Sequence, residues 1–174
     1  MKSYYASKHA KQYSQTWKAF LRKTLEAASA AIDVEALRVC IEMRQSPLHI
    51  LDAGCGTGLL LSRLAQQFPS AHVYGIDASE DMLKEARQRL RGYSNVHLHC
   101  AELSREANAG LPYPPVFFDV ITCTNVLHYL QEPVAVLRGF NTLLVKQGQL
   151  ILEDDVLRGF PFRLQSIGVA HPAL

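Results

Sequence analysis

The sequence predicts an α/β fold, a doubly wound parallel sheet with helices on both faces. Three observations lead there. Short apolar runs alternate with stretches of helical period from Leu48 onward. The runs are almost continuously apolar, as in strands buried on both faces. The links between them are short, as in repeated strand–helix–strand units.

Each element can be justified in turn. Ala10, Tyr13, Trp17, Leu21, Leu25 and Ala28 recur at three- and four-residue spacing, which reads as an amphipathic helix. Asp33 is an N-cap for a second helix running to Gln45, and Ser46-Pro47 breaks it. Leu48 to Ala53 is the first strand, ending in Gly54, and Leu59 to Phe68 is a helix that stops before Pro69. Ala71 to Ile76 is the second strand. Ser79 caps a helix to Leu90 that carries Met82, Leu83, Ala86 and Leu90 on one face. Val96 to Cys100 and Phe117 to Cys123 are the third and fourth strands, and Pro112, Pro114 and Pro115 mark a rigid loop between them. Pro133 opens a helix bearing Val134, Leu137 and Leu144, Gly148 ends it, and Gln149 to Glu153 is the fifth strand.

The chain has 174 residues, the length of one domain, divided into a helical region 1–46, a core 47–155 and a short tail 156–174. Its net charge of +2 is too balanced for a dedicated nucleic-acid or membrane-surface protein. Cys40, Cys55, Cys100 and Cys123 form no C-x-x-C pair, which removes the common zinc and thioredoxin patterns. No continuous apolar segment near the amino end suggests a signal peptide, and no run is long enough to span a bilayer. A cytoplasmic protein without a membrane partner is expected. His97 and His99 share one face of the third strand, but no further ligands accompany them, so no metal site is expected.

Ligands of such sheets bind beyond the carboxyl ends of the strands. Those ends are Ala53-Gly54, Asp77, Cys100 to Glu102, Cys123 to Asn125 and Asp154-Asp155. The first carries LDAGCGTGLL, in which Gly54, Gly56 and Gly58 are spaced G-x-G-x-G. Glycines there allow a sharp turn and let a ligand lie against bare backbone, facing the N-terminus of the next helix. Dinucleotide fingerprints are one residue looser, which counts against a nicotinamide-dependent oxidoreductase. Asp77 follows Gly58 by about twenty residues, the spacing of an acid that accepts hydrogen bonds from a ribose diol; its other reading is a helix N-terminal acid before Ser79.

LDAGCGTG followed by GIDASEDML resembles the class I S-adenosylmethionine-dependent methyltransferases, with their Rossmann-like sheet. FDVITCTNVLHYLQEPVAVLRGFNTLLVKQGQLILED, residues 118 to 154, resembles the fourth and fifth strands of the same family. The nearest flavour is the branch acting on small molecules such as ubiquinone and menaquinone precursors. The resemblance implies S-adenosylmethionine as cofactor and a small-molecule acceptor. Asp52 would orient the cofactor region. Gly54, Cys55, Gly56 and Gly58 would line its methionine part, Asp77 would hold the ribose, and Ala78 would touch the adenine. Met82 reads equally as an adenine contact and as core. The family's usual adenine-binding Asp is replaced by Cys100, with Ala101 and Glu102 beside it as the candidate contacts. Thr124 and Asn125 stand near the amino-acid moiety, and Tyr13 resembles a lid tyrosine, with core packing as its other reading. His128 is the candidate general base, with capping or packing as the alternative. No N-P-P-Y and no Pro-Cys pair follows the fourth strand, which argues against nucleic-acid methylation.

Family members continue beyond the fifth strand with a helix and two further strands, and the residues after Asp155 are too few for that set. The expected sheet is therefore the family fold shortened by its last two strands. Its exposed fifth-strand edge suits a homodimer or a partner chain. Two functions follow: an active methyltransferase, or a SAM-binding pseudoenzyme or regulatory subunit without a complete acceptor site.

Overall fold

The computed structural model describes residues 18–154. Ala10, Tyr13 and Trp17 of the expected amphipathic helix, and the expected tail 156–174, lie outside those residues. Two helices lead in, α1 (Lys18–Ala30) and α2 (Val34–Arg44). Asp33 caps α2 as its residue type predicts, its side chain accepting from the Ala36 N–H at 3.0 Å. The alternation then runs β1 (His49–Ala53), α3 (Leu59–Gln67), β2 (His72–Asp77), α4 (Glu80–Leu90), β3 (Val96–Cys100), β4 (Phe118–Thr124), α5 (Pro133–Leu143) and β5 (Leu144–Glu153). Single 3-10 turns at Ala107–Gly110 and Leu127–Tyr129 were not anticipated. Among the described residues, no helix is long and apolar enough to cross a membrane.

All strand pairs are parallel, in the order β3-β2-β1-β4-β5. The strands' apolar continuity is explained by a core on each face. One, with Ile50, Val73, Val120 and Ile151, is covered by α1, α3 and α4 through Ala28, Leu61, Leu64, Leu83 and Ala86. The other, with Leu51, Ile76, Ile121 and Leu150, is covered by α5 through Val136, Phe140 and Leu143. Gln149, fully buried on β5, exchanges two hydrogen bonds with the Asp33 backbone, at 2.8 and 2.9 Å. This tie anchors the start of α2 to the sheet. The amino ends of the strands carry a run of stacked rings, with His97 5.0 Å from Tyr74 and His49 Nδ1 3.1 Å from the Tyr74 hydroxyl. His97 therefore packs on its neighbour strand.

One boundary differs from the sequence reading. The helix expected to run to Gly148 stops at Leu143, and β5 begins at Leu144. Leu144 pairs with Phe118, the chain then bulges, and pairing resumes at Gln149 with Val120. Gln147 takes a φ of 67°, in the left-handed region, to make that bulge. Leu144 keeps a helical spacing from Leu137, so periodicity alone could not see that it had joined the sheet. Among the described residues β5 has β4 on one side and no strand on the other.

Candidate cofactor site

The carboxyl end of β1 turns through Gly54, Gly56 and Gly58, each at positive φ. The turn is pinned to the neighbouring strand: the N–H groups of Gly54 and Cys55 both donate to the Ile76 carbonyl, at 2.8 and 2.9 Å. Gly54 lies under the loop after β4. A Cβ built there would stand 2.2 Å from Val126 Cγ2. At Gly56 a Cβ would meet nothing within 4 Å, so that glycine opens on free space. Arg89 of α4 donates to the Thr57 carbonyl and closes the far side of the loop.

Asp77 ends β2 beside this turn. Its Oδ2 accepts from the Gly56 N–H and its Oδ1 from the Ser79 N–H, both at 2.8 Å. The carboxylate thus holds the loop on one side and the start of α4 on the other. Burial pushes its pKa up, and those two N–H groups pull against the shift. Each oxygen uses one acceptor direction on the protein, which leaves capacity for two more hydrogen bonds.

Asp52 is buried two residues before Gly54, and its Oδ1 accepts from the Thr122 hydroxyl at 2.9 Å. Burial raises its pKa to about 7, against the pull of that hydrogen bond. Cys55 turns its side chain into the core, where burial raises the thiol pKa well above the ordinary value. Met82 is 4% exposed on the inner side of α4. Ala78 and Glu102 are exposed and Ala101 half-buried, flanking the β2 and β3 ends. The Ala101 N–H donates to the Asp77 carbonyl at 3.2 Å, so β3's tail is held against the acid. Asn125 adopts a φ of 54°, and its N–H donates to the Glu153 carbonyl at 2.7 Å.

The structure thus brings together the glycine turn, Asp77, Ala78, Ala101 and Glu102. Asp52, Cys55 and Met82 stand behind them as buried support. His128 lies farther along the sheet, where its ring Nδ1 is 2.6 Å from Asp154 Oδ1. Sequence reasoning marked Asp154 only as a strand end and did not pair it with His128. It also missed Val126 and Arg89, whose contacts with the glycine turn cross long stretches of chain and leave no local signal.

Residues 51–150 match a family described as Methyltransferase domain. A ubiquinone biosynthesis O-methyltransferase of Stutzerimonas stutzeri is 36% identical over 101 residues, 58% of this chain and 41% of that protein. The chain spans about half the length of the curated relatives it matches, or less. Similar solved structures include the following two. The [4+2]-cyclase SpnF has a TM-score of 0.54 at 29% identity, over 62% of this chain and 38% of that one. The methyltransferase CalH, in complex with S-adenosylhomocysteine, has a TM-score of 0.54 at 26% identity, over 61% and 31%.

Proposed function

The chain belongs to the methyltransferase-domain family, and from that premise we propose that it transfers a methyl group from S-adenosylmethionine to a small-molecule acceptor. The observation that carries the reading is the Asp77 carboxylate, bonded to Gly56 and Ser79 with acceptor capacity left over, beside a glycine turn that opens on free space. A vicinal diol supplies two O–H donors, which matches that remaining capacity. A side chain at position 56 would fill the open space, so the residue type fits a ligand pressed against backbone.

The roles follow from position. Gly54, Gly56 and Gly58, with the Cys55 backbone, line the methionine part, and Asp77 binds the ribose. Ala78, Ala101 and Glu102 flank the adenine, and Asn125 approaches from the β4 side. Asp52 and Met82 act from behind, holding the turn and α4 in place. The cosubstrate supplies an activated methyl group, and the protein's task is to align the acceptor and keep water out. Quinone-pathway enzymes among the relatives favour a small, ring-bearing acceptor.

Calorimetric titration with S-adenosylmethionine and S-adenosylhomocysteine tests the reading. Asp77→Ala should weaken binding tenfold or more, ~1.4 kcal/mol, a reasonable loss for charge-assisted hydrogen bonds. Unchanged affinity in that variant would remove the ribose assignment. A second reading is favoured by one observation: the cyclase among the structural neighbours shows that this fold also serves other chemistry. A SAM-binding protein without methyl transfer would bind equally well and release no S-adenosylhomocysteine in the presence of acceptors.

A further inference from the structure

The turn after β4 carries a pair that the cofactor cradle does not require. The His128 N–H donates to Asp154 Oδ2 at 3.3 Å, and the ring Nδ1 lies 2.6 Å from Asp154 Oδ1. The Asp154 side chain is 3% exposed and that of His128 28%. Asp154 already accepts from the His128 backbone N–H, and a carboxylate oxygen accepting from the ring as well puts the ring proton on Nδ1 and leaves the lone pair on Nε2. Nε2 has no hydrogen-bond partner among the described residues. A titratable ring whose one nitrogen is committed to a buried acid, and whose other is free, is the arrangement of a base held by a third group.

Its location fits a second substrate. The glycine turn and Asp77 occupy the carboxyl ends of β1 and β2, and the pair occupies the ends of β4 and β5. Asp77 and the pair are about two and a half strand spacings apart, or about 12 Å at ~4.8 Å each. Val126, two residues before His128, lies directly over Gly54 and fixes the turn's position against the cofactor loop.

The geometry points to His128 as the general base that takes a proton from the acceptor, with Asp154 as its positioning residue, and hence to an acceptor that reacts through a hydroxyl. This rests on the methyl-transfer reading above. The proton of the acceptor O–H passes to Nε2, the oxygen's electron pair forms the bond to the methyl carbon, and the pair of the broken carbon–sulfur bond stays on sulfur. The imidazolium so formed faces the Asp154 carboxylate. The acceptor class follows from acidity. A neutral amine attacks with a lone pair it already has, and a thiol ionises near pH ~8.5 unaided, whereas a phenol needs pH ~10. A base backed by a buried acid is therefore matched to a hydroxyl.

The test uses the full chain, His128→Gln and Asp154→Asn, with phenol and para-nitrophenol as probes. Imidazole nitrogen NMR should show His128 as the Nδ1–H tautomer in the wild type and lose that preference in Asp154→Asn. Affinity for S-adenosylmethionine should stay within about twofold in both variants, which also shows that they fold. Turnover of phenol should fall on the order of 100-fold or more in His128→Gln. Turnover of para-nitrophenol, already largely ionised at mildly alkaline pH, should fall far less. An Nε2–H tautomer, equal losses on the two probes, or no turnover of either by a chain that binds S-adenosylmethionine overturns the proposal. A wild-type chain that binds no S-adenosylmethionine overturns the methyl-transfer reading instead, and this inference with it.

Discussion

Gly54→Ala tests how the cofactor loop and the loop after β4 are held together. Gly54 has a φ of 81°, where an L-residue costs ~1–2 kcal/mol. Its new Cβ would stand 2.2 Å from Val126 Cγ2, 3.2 Å from Cγ1 and 3.3 Å from Cβ. Rotating Val126 about χ1 can carry Cγ2 away, but its Cβ stays at 3.3 Å through that rotation, so the backbone under Val126 must also give by a few tenths of an ångström. Overpacking of this kind costs ~1–3 kcal/mol, for a total of about 2–5 kcal/mol. Gly56→Ala is the control, because it carries the same kind of strain, at a φ of 53°, with nothing within 4 Å. In a chain of this size each kcal/mol shifts the midpoint by ~2–4 °C, so Gly54→Ala should melt roughly 4–20 °C lower and Gly56→Ala roughly 2–8 °C lower. The ranking reverses in calorimetry at a temperature where both are folded if Gly56 faces the ligand, since only there does the new methyl group occupy the open space. Adding Val126→Ala to Gly54→Ala should recover about 1–3 kcal/mol as a coupling energy. Equal melting of the two glycine variants, or no coupling with Val126, would refute the idea that Val126 clamps the turn.

Two further outcomes are expected. Asp52 has a pKa raised to about 7 by burial, so between the unfolded value near 4 and that pH the folded chain binds the extra proton. Stability therefore falls as pH rises through that window and levels off above it. Asp52→Asn should flatten much of the decline in urea midpoint against pH, leaving the part with the same sign that comes from Asp77; an unchanged slope would show that Asp52 is not its source. Cys100 is exposed while Cys55 and Cys123 are buried with thiol pKa values pushed up by burial, so maleimide should label Cys100 first of these three. Saturating S-adenosylmethionine should slow that labelling, and peptide mass spectrometry showing Cys123 modified first would contradict the packing.

The features legible in the sequence are those whose cause is local. Positive φ at Gly54, Gly56 and Gly58 is a property of the residue type, and the Asp33 and Ser79 caps each act within three residues. The place of Asp77 at the end of β2 was readable because one strand–helix–strand unit has a nearly fixed length. The end of α5 was not readable, because Leu137 and Leu144 satisfy a helical period whether or not the second has crossed into β5. There the pairing of Leu144 with Phe118 overrides the local pattern. Val126 over Gly54 and His128 against Asp154 join segments that are adjacent only once the strand order is known.

That order also explains why the two halves of the site differ in legibility. The chain goes from β1 outward through β2 to β3, then returns across the sheet to lay β4 on the other side of β1. The reversal lies between β1 and β4, the place where open sheets of this kind leave a crevice. On the β2 side of it the ligand would meet backbone and one acid, and bare backbone needs glycine, which the sequence displays openly. On the β5 side the proposed contacts would be made by side chains on loops, His128 and Asp154, whose residue types are common and whose meaning depends on each other's position. Val126 sits at the reversal itself and presses on Gly54 from the β4 side. A shift of the glycine turn must therefore displace the strand-end turn that carries His128, so the Gly54→Ala variant should lose turnover beyond what its weakened cofactor affinity explains. Turnover that fell only in proportion to affinity would separate the two halves and leave Val126 as a packing contact alone.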